Sequence, residues 1–115
     1  MMGIWHSEAL QGVEGCRLHT VVGRPRPAGE PADEATEGRM PSSTEQFAQD
    51  FGYAKWTTDY AAALADPEVD IVIIAGPSES HAEMSLAALE AGKHVLVEIP
   101  IAMNLAESEA VVAAA

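Results

Sequence analysis

The apolar positions of this chain switch repeatedly between two spacings. From Met1 to Val13 the stripe through Met2, His6, Ala9/Leu10 and Val13 has helical period, and Gly12 and Gly15 lie where terminators belong. His6 on that stripe reads as a packed histidine or as a ligand contact. Cys16–Val22 (CRLHTVV) predicts a strand. Ser42–Phe51 predicts a short helix, with Ser42 and Glu45 at capping-box spacing and Phe47/Phe51 as an i, i+4 pair. Tyr53–Trp56 predicts an edge strand. A helix follows from Thr58 or Asp59 with Tyr60, Ala61 and Leu64 inward, and Asp66-Pro67 turns the chain. Ile71–Ile74 is an unbroken apolar run, as expected of a strand covered on both faces, and Gly76-Pro77 ends it. Ser78 or Ser80 caps a helix reaching Ala91, with Gly92 as its C′ glycine. His94–Val97 is a further strand, closed by Glu98-Ile99-Pro100, where the proline suits a cis turn. Asn104 and Glu107 cap an Ala/Val-rich final helix.

Between the second and third elements the pattern lapses. Pro25–Pro41 holds four of the seven prolines with Gly29 and Gly38. A surface loop or a disordered segment over 25–41 is expected.

The order α-β-α-β-α-β-α-β-α with short connections implies an α/β fold, a doubly wound parallel sheet of Rossmann type. A chain of 115 residues allows one domain. Such domains open on a strand, yet this sequence opens on a helix and ends within one. The expectation is therefore a partial domain over 1–115 that lacks its first, central strand. Cys16–Val22 and Ile71–Ala75 would each lose a neighbour in a 3-2-1-4-5 sheet.

Charge and composition narrow the function. A net charge of −12, from 18 acidic and 6 basic residues, argues against nucleic acid and anionic membrane as partners. No apolar run reaches the ~18 residues of a spanning helix, and no signal peptide is evident, so a cytoplasmic setting is expected. The single Cys16 excludes an internal disulfide and reads as a buried thiol. No metal-ligand spacing and no nucleophile elbow are present.

Four places could carry chemistry. Met1-Met2-Gly3 matches the end of a dinucleotide fingerprint, which places Met2 and Gly3 at the pyrophosphate, or makes Gly3 a close-packing glycine. Gly23-Arg24-Pro25-Arg26 stands where the fingerprint reads the adenosine ribose. Arginine there suits the 2′-phosphate of NADP more than the hydroxyl of NAD; otherwise Arg24 and Arg26 belong to a solvated loop. Gly76, Pro77, Ser78 and His81 form a helix-start turn whose amides favour ligand oxygens, or a local cap. The positive helix end favours an uncharged His81 ring. Glu98 lies at the carboxyl end of a parallel strand, facing a ligand crevice or solvent. No catalytic residue is assigned.

Taken together, Gly3-x-x-His6, Asp66-Pro67-Glu68-Val69-Asp70, Pro77-x-x-x-His81-Ala82-Glu83 and Ala91-Gly92-Lys93-His94-Val95 leading to Glu98-x-Pro100 resemble the Gfo/Idh/MocA oxidoreductases. The resemblance implies an N-terminal Rossmann domain and a following substrate domain, absent here, with the full-length protein a homo-oligomer. It implies a nicotinamide dinucleotide cofactor: Gly3 under the pyrophosphate, Arg24 at the 2′-phosphate, Pro77, Ser78 and His81 along the nicotinamide side, and Glu98 at its ribose. Most members read Glu-Lys-Pro where this chain has Glu98-Ile99-Pro100, and isoleucine cannot move a proton. That form, with Val22-Gly23-Arg24 and His81-Ala82-Glu83, is similar to members that use NADP to oxidise a cyclic hemiacetal from protocatechuate 4,5-cleavage. An NADP-sensing regulator is the alternative within the family, and a flavodoxin-like binding domain the alternative outside it.

Overall fold

The computed structural model describes residues 2–24 and 43–115. The expected 25–41 loop, Arg26 and the Ser42 cap lie outside the described residues. The chain divides into two compact units, Met1–Ala63 and Leu64–Ala115.

The first unit holds α1 (Met2–Leu10), β1 (Thr20–Val22), α2 (Thr44–Phe51), β2 (Lys55–Thr57) and the start of α3 (Tyr60–Ala65). β1 and β2 pair in parallel, Thr20 opposite Lys55 and Val22 opposite Thr57. Hydrogen bonds extend the pairing at both ends, from the Ala54 amide to the Leu18 carbonyl and from the Gly23 amide to the Thr57 carbonyl. β1 is thus shorter than Cys16–Val22, and Cys16 is exposed rather than buried. Gly15, at φ 81°, turns the chain just before Cys16, whose amide bonds back to the Val13 carbonyl, and pairing with the second strand begins only at Leu18. α1 stops at Leu10, and Val13 lies beyond it, 50% exposed. The inward residue of α1 is Ser7, which the apolar stripe did not include. Its hydroxyl donates to the Gly3 carbonyl at 2.7 Å and meets the Tyr53 hydroxyl at 2.9 Å. The described cap of α2 is Ser43, whose Oγ accepts from the Gln46 amide. Phe47 then stacks near Phe51 and Tyr53. In α3 the buried position is Ala63, and Ala61 is exposed.

The second unit holds β3 (Ile71–Ile74), a 3-10 turn (Ser78–Ser80), α4 (His81–Glu90), β4 (His94–Val97) and α5 (Leu105–Ala114). β3 and β4 pair in parallel, Ile71 opposite His94 and Ile74 opposite Val97. α4 buries His81, Ala82, Ser85 and Ala88. Apart from the histidine these are small, so the helix backbone approaches its neighbours closely. Ala82 meets Ala102 and Val111, with Leu86, Leu89 and Ile101 packed around them. A Schellman end closes α4: the Lys93 amide reaches the Ala88 carbonyl and the Gly92 amide the Leu89 carbonyl, with Gly92 at φ 74° as expected. Asn104 caps α5 by accepting from the Glu107 amide, and the Glu107 carboxylate accepts from the Met103 amide. β3 is covered only towards its carboxyl end. Ile74 is buried, but Ile71 is 61% exposed, so cover on both faces does not hold along the whole run.

Each parallel pair is linked through a helix, the doubly wound α/β arrangement expected of a Rossmann-type domain. Among the described residues no strand joins the β1–β2 pair to the β3–β4 pair, and there is no further sheet. No helix among them is long and apolar enough to cross a membrane.

Candidate functional site

In the second unit the candidate residues gather at the carboxyl ends of the two parallel strands. The Glu98 amide donates to the Ile74 carbonyl at 3.0 Å, carrying the ladder one step past β4. This sets the half-buried Glu98 side chain beside the end of β3. Ile99 follows at 89% exposure, joined to Pro100 by a cis peptide bond. After β3, Gly76 and Pro77 are exposed and Ser78 is half-buried. Ser80 closes the turn: its amide and its hydroxyl both donate to the Pro77 carbonyl, at 3.0 and 2.7 Å. Ser80 occupies the N-cap position of α4, as expected, but its side chain makes no cap bond there, and the 3-10 turn supplies the first bonds instead.

His81 begins α4 and is 1% exposed. Its Nδ1 lies 2.7 Å from the Pro100 carbonyl oxygen and its Nε2 2.9 Å from that of Gly76. Both ring nitrogens are engaged by the protein, so the ring offers neither to a ligand. His81 thus reaches the rim through the turns it bonds.

In the first unit the candidates stand at two places. Met2 and Gly3 form the first turn of α1, where backbone amides have no intrahelical acceptor. A Cβ on Gly3 would come no nearer than 4.0 Å to Phe47, ordinary contact, so packing alone does not demand glycine there. Gly23 is different. A Cβ there would collide with the Thr44 side chain at the start of α2, so this glycine serves the approach of α2 to the end of β1. Arg24 is exposed immediately after it.

Residues outside the candidate list also stand out. Lys93 donates from Nζ to the Asp66 carbonyl at 3.0 Å, and the Asp66 carboxylate accepts from the Glu68 amide. Together they fix the amino end of the β3–β4 pair, opposite the candidate rim. Ser7 steadies the first turn of α1 through the Gly3 carbonyl; its position four residues after Gly3 is the one available signal. Tyr60 is half-buried, and burial pushes its phenol up to about 12.

Each place has its own donor chemistry, the phosphate-type donors lying in the first unit and the hydroxyl and carboxylate in the second. First-turn amides and a guanidinium suit phosphate, and a serine hydroxyl and a carboxylate suit ribose and amide groups. Residues 35–115 match the oxidoreductase family with an NAD-binding Rossmann fold known as Gfo/Idh/MocA. The chain is 35% identical over 106 residues to 4-carboxy-2-hydroxymuconate-6-semialdehyde dehydrogenase of Sphingobium sp., covering 92% of this chain and 29% of that protein. It is 36% identical over 110 residues to the scyllo-inositol 2-dehydrogenase (NAD(+)) of Bacillus subtilis, covering 95% of this chain and 28% of that one. A crystal structure of an oxidoreductase domain protein from Kribbella flavida superposes with TM-score 0.81 at 33% identity, over 99% of this chain and 28% of the other. The chain spans less than a third of the length of these relatives.

Proposed function

The chain belongs to the Gfo/Idh/MocA oxidoreductases, and from that premise we propose that it is the cofactor-binding part of a dehydrogenase acting on an alcohol or cyclic hemiacetal, with NADP preferred over NAD. The observation that carries the reading is the rim of Gly76, Pro77, Ser78 and Glu98 at the carboxyl ends of β3 and β4, the place where open α/β sheets receive ligands. When bound, the nicotinamide accepts a hydride at its C4.

The chain's own residues bind and orient. Met2 and Gly3 present amides to the pyrophosphate, and Arg24, with Arg26, offers a fork to the 2′-phosphate. Gly76, with no side chain, leaves the backbone open on the nicotinamide side. Ser78 and Glu98 fix the ribose and amide groups. Ile99 moves no proton, so it is not the base that takes the hydroxyl proton. Similarity to the Sphingobium enzyme favours the hemiacetal of 4-carboxy-2-hydroxymuconate-6-semialdehyde as substrate. The Bacillus relative's NAD(+) leaves the NADP preference resting on Arg24.

The test is calorimetric titration of NADP and NAD into the whole protein that carries this sequence, wild type and Arg24→Ala. The variant should bind NADP about tenfold more weakly, roughly 1.4 kcal/mol, and NAD unchanged. Equal losses would sink the NADP preference, and binding of neither nucleotide would sink the cofactor reading. Ile99 in the lysine position favours one other reading: tight NADP binding without oxidation of any hemiacetal or alcohol would make this an NADP-sensing member.

A further inference from the structure

We propose that His81 is a positioning residue whose doubly protonated ring ties the Gly76 turn to the Pro100 turn, so that the shape of the rim, and with it affinity for the dinucleotide, follows the charge on this ring. A carbonyl oxygen only accepts, and a neutral imidazole carries one N–H. With Nδ1 2.7 Å from the Pro100 carbonyl and Nε2 2.9 Å from that of Gly76, either neutral tautomer would leave a ring lone pair facing a carbonyl lone pair. At 1% exposure water does not relieve that contact. The imidazolium donates to both oxygens.

The setting divides on the charge. The start of α4 disfavours a cation at its first residue. Against it stand the two carbonyl oxygens. The charged side chains on the surrounding helices and after β4 are carboxylates: Glu79 in the 3-10 turn, Glu83 and Glu90 on α4, Glu98 after β4, and Glu107 and Glu109 on α5. Glu98 is half-buried and the others are exposed. Lys93 and His94 lie at the amino end of β4, and Lys93 is bonded to the Asp66 carbonyl.

Gly76 opens the turn that carries Pro77 and Ser78, and Pro100 ends the segment that carries Glu98. One ring therefore sets the spacing between the two sides of the rim. Losing the second proton releases one carbonyl and with it one side. Both bonds are present at low pH, and one is lost as pH rises.

The experiment has an arm that needs no cofactor. In the whole protein labelled with 15N-histidine, long-range 1H–15N spectra across about pH 5 to 8, the range of histidine charge change, report both ring nitrogens. The amide signals of Gly76, Ser78 and Ile101 are followed alongside. We expect both nitrogens protonated at the acid end, and the three amides moving in step with the ring. A ring neutral throughout, or amides that ignore its titration, would overturn the tie. The second arm measures NAD, which has no titrating 2′-phosphate, across the same series. Affinity should fall several-fold as the ring loses its proton and should be flat with pH in His81→Gln. A flat wild-type profile with a titrating ring would overturn the role in affinity. This arm rests on the proposed dinucleotide site. Binding of no nucleotide at any pH would refute that site and the coupling of ring to affinity together, while the ring and amide signals decide the tie separately.

Discussion

The hydroxyl of Ser85 is fully buried on the inward face of α4 and has no hydrogen-bond partner among the described residues. Burying an unsatisfied hydroxyl costs about 1–3 kcal/mol. Ser85→Ala keeps the small volume that α4 needs and is expected to stabilise the fold by about 1 kcal/mol, read as a higher urea midpoint. A lower midpoint would mean that the oxygen is satisfied in solution. Nothing in the sequence separates Ser85 from Ser78 or Ser80, because a serine's partner depends on what folds opposite it. The same limit governs His81. Its place at the start of α4 is legible locally, whereas the Pro100 carbonyl it meets comes from a turn 19 residues along the chain. Gly23 follows the rule too: its place after a strand suggested a ligand, whereas Thr44, far along the chain, explains why no side chain fits.

Elements whose signals are local were legible in advance. Asn104 with Glu107 marked the start of α5, and Gly92 marked the end of α4, since cap chemistry acts within a few residues. Strand ends were less legible. Cys16–Val22 and Tyr53–Trp56 became Thr20–Val22 and Lys55–Thr57, because a strand lasts only while its partner lies alongside. In α3 the sequence placed Tyr60 inward, and burial raises its phenol to about 12 from 10.0. The sign follows from the neutral form being the one favoured in the fold. Tyr60 contributes stability in full below pH 10, and that contribution is lost as pH rises from 10 towards 12. A spectrophotometric titration of phenolate should show a late step near pH 12 that disappears in Tyr60→Phe. A step unchanged by the substitution would assign the shift elsewhere.

At the scale of the molecule, alternation of helix and strand sufficed for the fold class, since each crossover between parallel strands needs a helix. The expectation that nothing would join the two parallel pairs came from strand order and not from local pattern, and among the described residues no strand joins them. The rim in the second unit was legible because strand, turn and helix are contiguous there. For Met2, Gly3 and Arg24 the sequence supplied spacing alone. The second unit exposes Ile71, Leu96, Ile99, Met103, Leu105 and Val112 on a chain of net charge −12 and isoelectric point near 4.4. In colloidal terms, these side chains are a short-range attraction held off by a long-range repulsion. At neutral pH and low salt the charge dominates. Near pH 4.4 it vanishes, and added salt shortens its reach to about 10 Å at 0.1 M. Light scattering should therefore peak around the isoelectric point and rise with salt on its flanks. Replacing Ile71 and Leu96 with threonine should flatten the peak; an unchanged peak would show that other surfaces drive self-association.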